Sequence, residues 1–156
     1  MIIGFDKDGV IAKAPLGLHN LLKVFQRTWN LFLKTWLGEL AYKKLRFANK
    51  DVKDLICQLY IKGHKIIIIT YITKDNSKKV ADWLVKNDIP FDQIITPTEK
   101  ESPLEFKIRA VLKTNCDFYI EDQKSLVKGI SSKAPEVKII HYKKEKDLDR
   151  LKKELR

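Results

Sequence analysis

The sequence predicts a three-layer α/β fold: a parallel sheet with helices on both faces, carrying a small α-helical insertion near its start. Three observations carry this expectation. Short apolar runs rich in β-branched residues, with no polar alternation, take turns along the chain with amphipathic stretches. Two of those runs end in acidic pairs. One segment, residues 13–53, breaks the rhythm with a long apolar stripe at helical spacing.

Ile2–Phe5 is the first strand-like run, and Asp6-Lys7-Asp8-Gly9-Val10 follows it directly. In the segment after it, Leu18, Leu22, Phe25, Trp29, Phe32 and Trp36 fall on one helical face, between Pro15 and Gly17 at the entry and a break at Gly38. Residues 51–62 form an amphipathic stretch that Gly63 ends. Lys65–Thr70, with four isoleucines in succession, is the second strand, and 75–87 the next helix. Asp92–Ile95 then reads as a strand. Ser102-Pro103 opens a helix over 103–115, with a capping residue followed by proline in the first turn. Phe118–Ile120, a helix over 124–132 and a strand at Val137–His141 complete the alternation. From Tyr142 to Arg156, lysines interleave with acids at helical spacing, the pattern of a solvated, ion-paired helix. The ligand site of such a fold lies at the C-terminal ends of the strands.

Composition narrows the classes. Among 156 residues, 31 Lys+Arg face 20 Asp+Glu, a net charge of +11, which attracts anionic partners without naming one. Residues 13–53 carry nine basic and two acidic side chains, so most of the excess lies there. No apolar run is long enough for a transmembrane helix, and carboxylates at positions 6 and 8 suit no signal peptide. Two cysteines, Cys57 and Cys116, with no CxxC spacing, argue against a disulfide scaffold and for a reducing, cytoplasmic setting. The glycines are isolated, so no Gly-rich phosphate loop exists, and the three histidines have no ligand spacing.

The candidate chemistry is acidic. Asp6 and Asp8, two residues apart at the mouth of a buried strand, would share one face and repel each other unless a cation lies between them. Glu121-Asp122 ends the run Asp117–Ile120 in the same way, which points to a shared magnesium site; the competing reading makes this pair a helix cap for 124–132. Thr70 closes the second strand and could offer a hydroxyl and a backbone N–H to an anion, with Thr73 as the competitor. Lys107 shares a helical face with Leu104 and Val111, where a lysine is unexpected unless its ammonium reaches a partner; Lys100 is the alternative.

This order, Asp6-Lys7-Asp8-Gly9-Val10, Thr70, Lys107 and Glu121-Asp122, resembles the four motifs of the haloacid dehalogenase-like superfamily, over residues 1 to about 130. The resemblance implies a Rossmann-like core of residues 1–12 and 54–156, with 13–53 as a helical cap insertion. It implies a Mg²⁺-dependent phosphatase in which Asp6 is the nucleophile that forms an aspartyl-phosphate and Asp8 the general acid and base. Asp6, the backbone carbonyl of Asp8, and Asp122 would hold Mg²⁺, with Glu121 auxiliary, while Thr70 and Lys107 would hold phosphoryl oxygens. Members doing carbon–halogen chemistry typically lack the second aspartate, so Asp8 points to phosphate esters. The nucleotidase branch commonly shows Thr-x-Arg after the second strand, and Thr70-Tyr71-Ile72 lacks that arginine. The expected partner is a phosphorylated small molecule. Two other readings are phosphotransfer or phosphomutase chemistry by the same residues, and a binding or regulatory protein docking to anionic membrane or nucleic acid through 13–53. The apolar stripe would pack on the core, on a second copy of the chain, or on a membrane surface.

Overall fold

The computed structural model describes residues 1–13, 46–73, 76–98 and 100–154. Five strands form one parallel sheet: β1 (Ile2–Asp6), β4 (Lys65–Ile69), β5 (Gln93–Ile95), β6 (Phe118–Glu121) and β7 (Lys138–His141). Their order is β5-β4-β1-β6-β7, so the chain winds outward from β1 in one direction and then in the other. The two directions part at β1, where ligand sites of doubly wound sheets form.

Helices cover both faces. α1 (Lys50–Ile61) and α2 (Ser77–Lys86) pack one face through Val52, Ile56, Val80 and Trp83, against Ile3, Phe5, Ile66 and Ile68. α3 (Pro103–Lys113) and α4 (Lys124–Lys133) pack the other through Phe106, Ala110 and Ile130, against Ile67, Ile69 and Tyr119. Alternate residues of β4 thus enter opposite cores, and Ile66 to Ile69 are all buried. Burial on both faces is why the run reads as continuous isoleucine, each side chain contributing roughly 1.5–3 kcal/mol. A last helix, α5 (Leu148–Glu154), follows a 3₁₀ turn at Glu145–Asp147, with Leu148 in the core and an exposed Lys152–Asp149 pair at 3.8 Å.

The expected three-layer architecture is present. α1 ends before Gly63, and α3 opens with the cap that Ser102 announced: the Ser102 hydroxyl accepts from the Glu105 N–H at 3.3 Å, while the Glu105 carboxylate accepts from the Ser102 N–H at 2.9 Å. The insertion expected at 13–53, with its apolar stripe, lies mostly outside the described residues. Its flanks are described: β2 (Ala12–Lys13) pairs antiparallel with β3 (Phe47–Ala48) in a two-stranded ribbon. Among the described residues, no helix is long and apolar enough to cross a membrane.

The capping box fixes the first turn of the helix that delivers Lys107, so its loss should be felt in stability. Ser102→Ala is expected to cost about 1 kcal/mol. Thermal melting should then fall by roughly 2–4 °C, the shift appropriate to a domain of about this size.

Candidate active site

Parallel pairing places Asp6 beside Ile69, and the next residue of that strand end is Thr70. On the other side of β1, Phe5 pairs with Ile120, which brings Glu121 and Asp122 to the same mouth of the sheet. Because side chains alternate along a strand, Gly4 and Asp6 face the α3 side, as do Tyr119 and Glu121. Lys107 on α3 descends onto that group. Its position explains why one helical face mixes a lysine with Phe106, Ala110 and Val111.

The Lys107 ammonium is buried and its three protons are directed to three acceptors. It forms an ion pair with Asp6 Oδ1, donates to the carbonyl of Ile69 at 2.8 Å, and donates to the Tyr119 hydroxyl at 2.6 Å. Glu121 lies further off, its Oε2 3.4 Å from Lys107 Nζ. Glu121 accepts the Tyr119 hydroxyl proton at 2.9 Å on Oε2 and the Gln123 N–H at 3.0 Å on Oε1. Burial opposes the charge on Lys107, but Asp6 and Glu121 outweigh it and hold its pKa above the ordinary lysine value. For Asp6, burial pushes the carboxyl well up against the pull of Lys107, and the neighbouring carboxylates Glu121, Asp122 and Asp8 push the same way.

Asp6, Glu121 and Asp122 each offer a carboxylate oxygen, all within 4.8 Å of one another. Three hard oxygen donors crowded at that separation fit a small divalent cation such as Mg²⁺, which would relieve their mutual repulsion. The loop after β1 closes on this cluster through Gly9. Its φ of +108° suits glycine, and a Cβ there would stand 2.4 Å from Asp122 Oδ2. Gln123, not the acidic pair, is the residue flanking α4 at its start, and it makes no side-chain cap; the capping reading of Glu121-Asp122 therefore fails.

Asp8 occupies a different setting. Its Oδ1 is paired with Arg46, just ahead of β3, and accepts from Lys7 Nζ at 2.9 Å. Lys7 is fully buried, and its ammonium lies 5.2 Å from the centre of the Trp83 ring. Trp83 Nε1 in turn donates to the Arg46 carbonyl at 3.4 Å. Burial would raise the Asp8 carboxyl, but Arg46 and Lys7 prevail and hold it well below the usual carboxylate range.

Of the paired alternatives, Thr70 is buried at the strand end, whereas Thr73 is exposed and accepts from Asn76 Nδ2 at 2.8 Å. The Thr70 N–H donates to the Ile95 carbonyl at 3.1 Å, so the hydroxyl remains as its group for an anion. Lys107 meets Asp6, while Lys100 is exposed. Tyr119, Lys7 and Arg46 were not expected at the site. Tyr119 carried a signal, since it stands two residues before Glu121 in a strand and so shares its face. Lys7 stood in the motif itself, and only its burial marks it out. Arg46 is 38 residues from Asp8 and nothing local announces their contact.

In fold, the chain is similar to solved haloacid dehalogenase-like hydrolases. A putative β-phosphoglucomutase from Thermotoga maritima is 15% identical, with 97% of this chain and 98% of that chain covered at a TM-score of 0.65. The haloacid dehalogenase domain of the effector protein Lem4 from Legionella pneumophila is 16% identical, with 99% and 92% covered at 0.61. A chain of the Pnkp1/Rnl/Hen1 complex is 13% identical and matches 90% of this chain at 0.64; this chain spans 45% of its length. At such identities the likeness is one of fold. No family model matches the sequence, and no curated protein matches it.

Burial lowers the pKa of Lys7 from 10.5 to about 8, with Arg46 adding to the effect and Asp8 opposing it. Between those two values the unfolded chain binds a proton that the folded chain has shed, so stability tied to this residue rises with pH across that window. At neutral pH the shift corresponds to about 3 kcal/mol of penalty. Lys7→Met, similar in length and neutral, is expected to melt a few degrees higher than the wild type at pH 7 without magnesium. Its advantage should shrink toward pH 10; melting curves at both pH values check this, and a widening gap would contradict it.

Proposed function

We propose that this protein is a Mg²⁺-dependent phosphohydrolase that cleaves a phosphomonoester through an aspartyl-phosphate on Asp6. The observation that carries this reading is the Lys107–Asp6 pair at the C-terminal mouth of the sheet, with Glu121 and Asp122 beside it. A carboxylate approaching a phosphate meets charge repulsion, and a buried ammonium on the nucleophile reduces it. Asp6, Asp122 and the Asp8 carbonyl would hold Mg²⁺, with Glu121 supporting them. The bound ion would neutralise phosphoryl oxygens.

In the first step a carboxylate oxygen of Asp6 forms a bond to phosphorus as the bond to the leaving oxygen breaks, and Asp8 gives that oxygen a proton. In the second, Asp8 takes a proton from water, the water oxygen bonds to phosphorus, and Asp6 is released with inorganic phosphate. Asp8 is held ionised by Arg46 and Lys7 in the arrangement described. Its role as acid therefore requires Asp8 to exchange those cations for the leaving oxygen. The Thr70 hydroxyl would donate to a phosphoryl oxygen, and Lys107 would do so by releasing one of its three acceptors.

Transfer to an acceptor other than water uses the same residues, so the product distinguishes the two reactions. The substrate is open to a screen of phosphorylated metabolites. The likeness to a chain of an RNA repair complex, of which this chain spans 42%, makes phosphorylated RNA ends a further group to include. Residues 13–53, with their basic excess, would form the cap that selects among them; docking of that segment to a membrane or nucleic acid is the competing role.

Asp6→Asn is expected to lower magnesium-dependent hydrolysis of an aryl phosphate by at least about 10³-fold, because an amide is a poor nucleophile for phosphorus. Steady-state rates with and without chelator provide the measurement. Wild-type rates in the variant would remove Asp6 from the reaction.

A further inference from the structure

Tyr119 takes no part in the steps above, yet its hydroxyl stands between the two charged groups that matter most. It accepts from Lys107 Nζ at 2.6 Å and donates to Glu121 Oε2 at 2.9 Å, and the residue is fully buried. The sheet makes room for it. Gly4, its partner in the neighbouring strand, has no Cβ, and one built there would stand 3.0 Å from Tyr119 Cδ2. A glycine inside a buried strand is costly, so its presence opposite this ring marks a specific accommodation.

We propose that Tyr119 is a positioning residue that holds the Lys107 ammonium on Asp6 and keeps its ion pair with Glu121 at the longer separation; this rests on the phosphohydrolase reading of the same site. The physical problem is that one ammonium faces two buried carboxylates. Asp6 holds one of its protons in an ion pair, whereas Glu121 Oε2 stands at 3.4 Å, beyond the usual length of a charge-assisted hydrogen bond. Attraction to Glu121 alone would draw Lys107 across that gap. The hydroxyl interposes a neutral group that satisfies the third proton of Lys107 and one oxygen of Glu121 together. The single hydroxyl proton is directed to Glu121 Oε2, and the oxygen accepts from Lys107 Nζ. Glu121 Oε2 then has its own donor, while the Lys107 ammonium stays on Asp6.

Tyr119→Phe keeps the ring over Gly4 and deletes the relay. The expected kinetic result is a fall of about 10- to 100-fold in kcat for aryl phosphate hydrolysis, with KM within about twofold of wild type. The second readout needs no activity: the side-chain ammonium resonance of Lys107 in ¹⁵N-lysine-labelled, metal-free protein, identified by its loss in Lys107→Met, should shift in Tyr119→Phe. An unmoved resonance overturns the relay whatever the rates. A shifted resonance with unchanged kcat overturns its positioning role. If the shift is present but wild-type protein hydrolyses no phosphomonoester, the phosphohydrolase reading falls and the relay stands. Should Tyr119→Phe fail to fold, the wild type still decides. Its Tyr119 hydroxyl proton should exchange slowly with water and show a nuclear Overhauser contact to the Lys107 ammonium, and rapid exchange without that contact overturns the proposal.

Discussion

The structure turns on a buried lysine ammonium. Moving such a charge into a packed interior is prohibitive unless ionic and hydrogen-bonding partners are already in place. Lys107 finds them on three adjacent strands: Asp6 on β1, the Ile69 carbonyl on β4, and Tyr119 and Glu121 on β6. That convergence exists only if β1 pairs with both neighbours in the observed register. A slip by one residue would turn Asp6 to the opposite face and strand the charge. The capping box at Ser102 and the apolar seam of α3 fix the helix from which Lys107 reaches down. Sheet register, helix placement and the candidate nucleophile are thus one constraint seen from three sides.

The two aspartates of the first motif are separated by their surroundings more than by sequence. Asp6 is buried among carboxylates and pushed up; Asp8 faces two cations and is pushed down. Groups of one type whose proton affinities are driven apart take different parts in a reaction. The direction is informative for Asp8. In the proposed reaction, a carboxyl held ionised would suit the step that takes a proton from water, and the step that gives one would require a change of partners. One of those partners, Arg46, directly precedes β3 of the β2–β3 ribbon.

Most of the sheet was legible because its strands are buried on both faces, which turns them into unbroken apolar runs. The isoleucines of β4 and the runs at β1 and β6 stand out for that reason. The acidic pairs were legible because carboxylates at the mouth of an apolar strand have no structural use, and Lys107 because it interrupts an apolar helical face. What escaped depends on contacts between distant parts of the chain. A two-residue ribbon at Ala12–Lys13 and Phe47–Ala48 has too few residues to show a period. Arg46 looks like one more base in a basic segment. Lys7 looks solvated until Trp83 and the loop close over it, and Tyr119 looks like an ordinary strand aromatic until its hydroxyl is traced to two charges.

That division also explains how the fold can persist at 13–16% identity to the solved structures it resembles. Covering both faces of the sheet requires apolar volume and β-branched shape, which many residues supply. The site makes the opposite demand. Lys107 needs an acceptor for each proton, Gly9 must leave space for Asp122, and Gly4 must leave space for the Tyr119 ring. These requirements fall on few positions, and each is set by geometry finer than a residue's chemical class. The same contrast gives the net charge of +11 its meaning: most of the excess lies in the 13–53 segment, while the mouth of the sheet gathers Asp6, Glu121 and Asp122 beside the buried Lys107 ammonium. On the proposed function, an anionic substrate would be drawn by the first and neutralised at the second, which would assign attraction and chemistry to different parts of the chain.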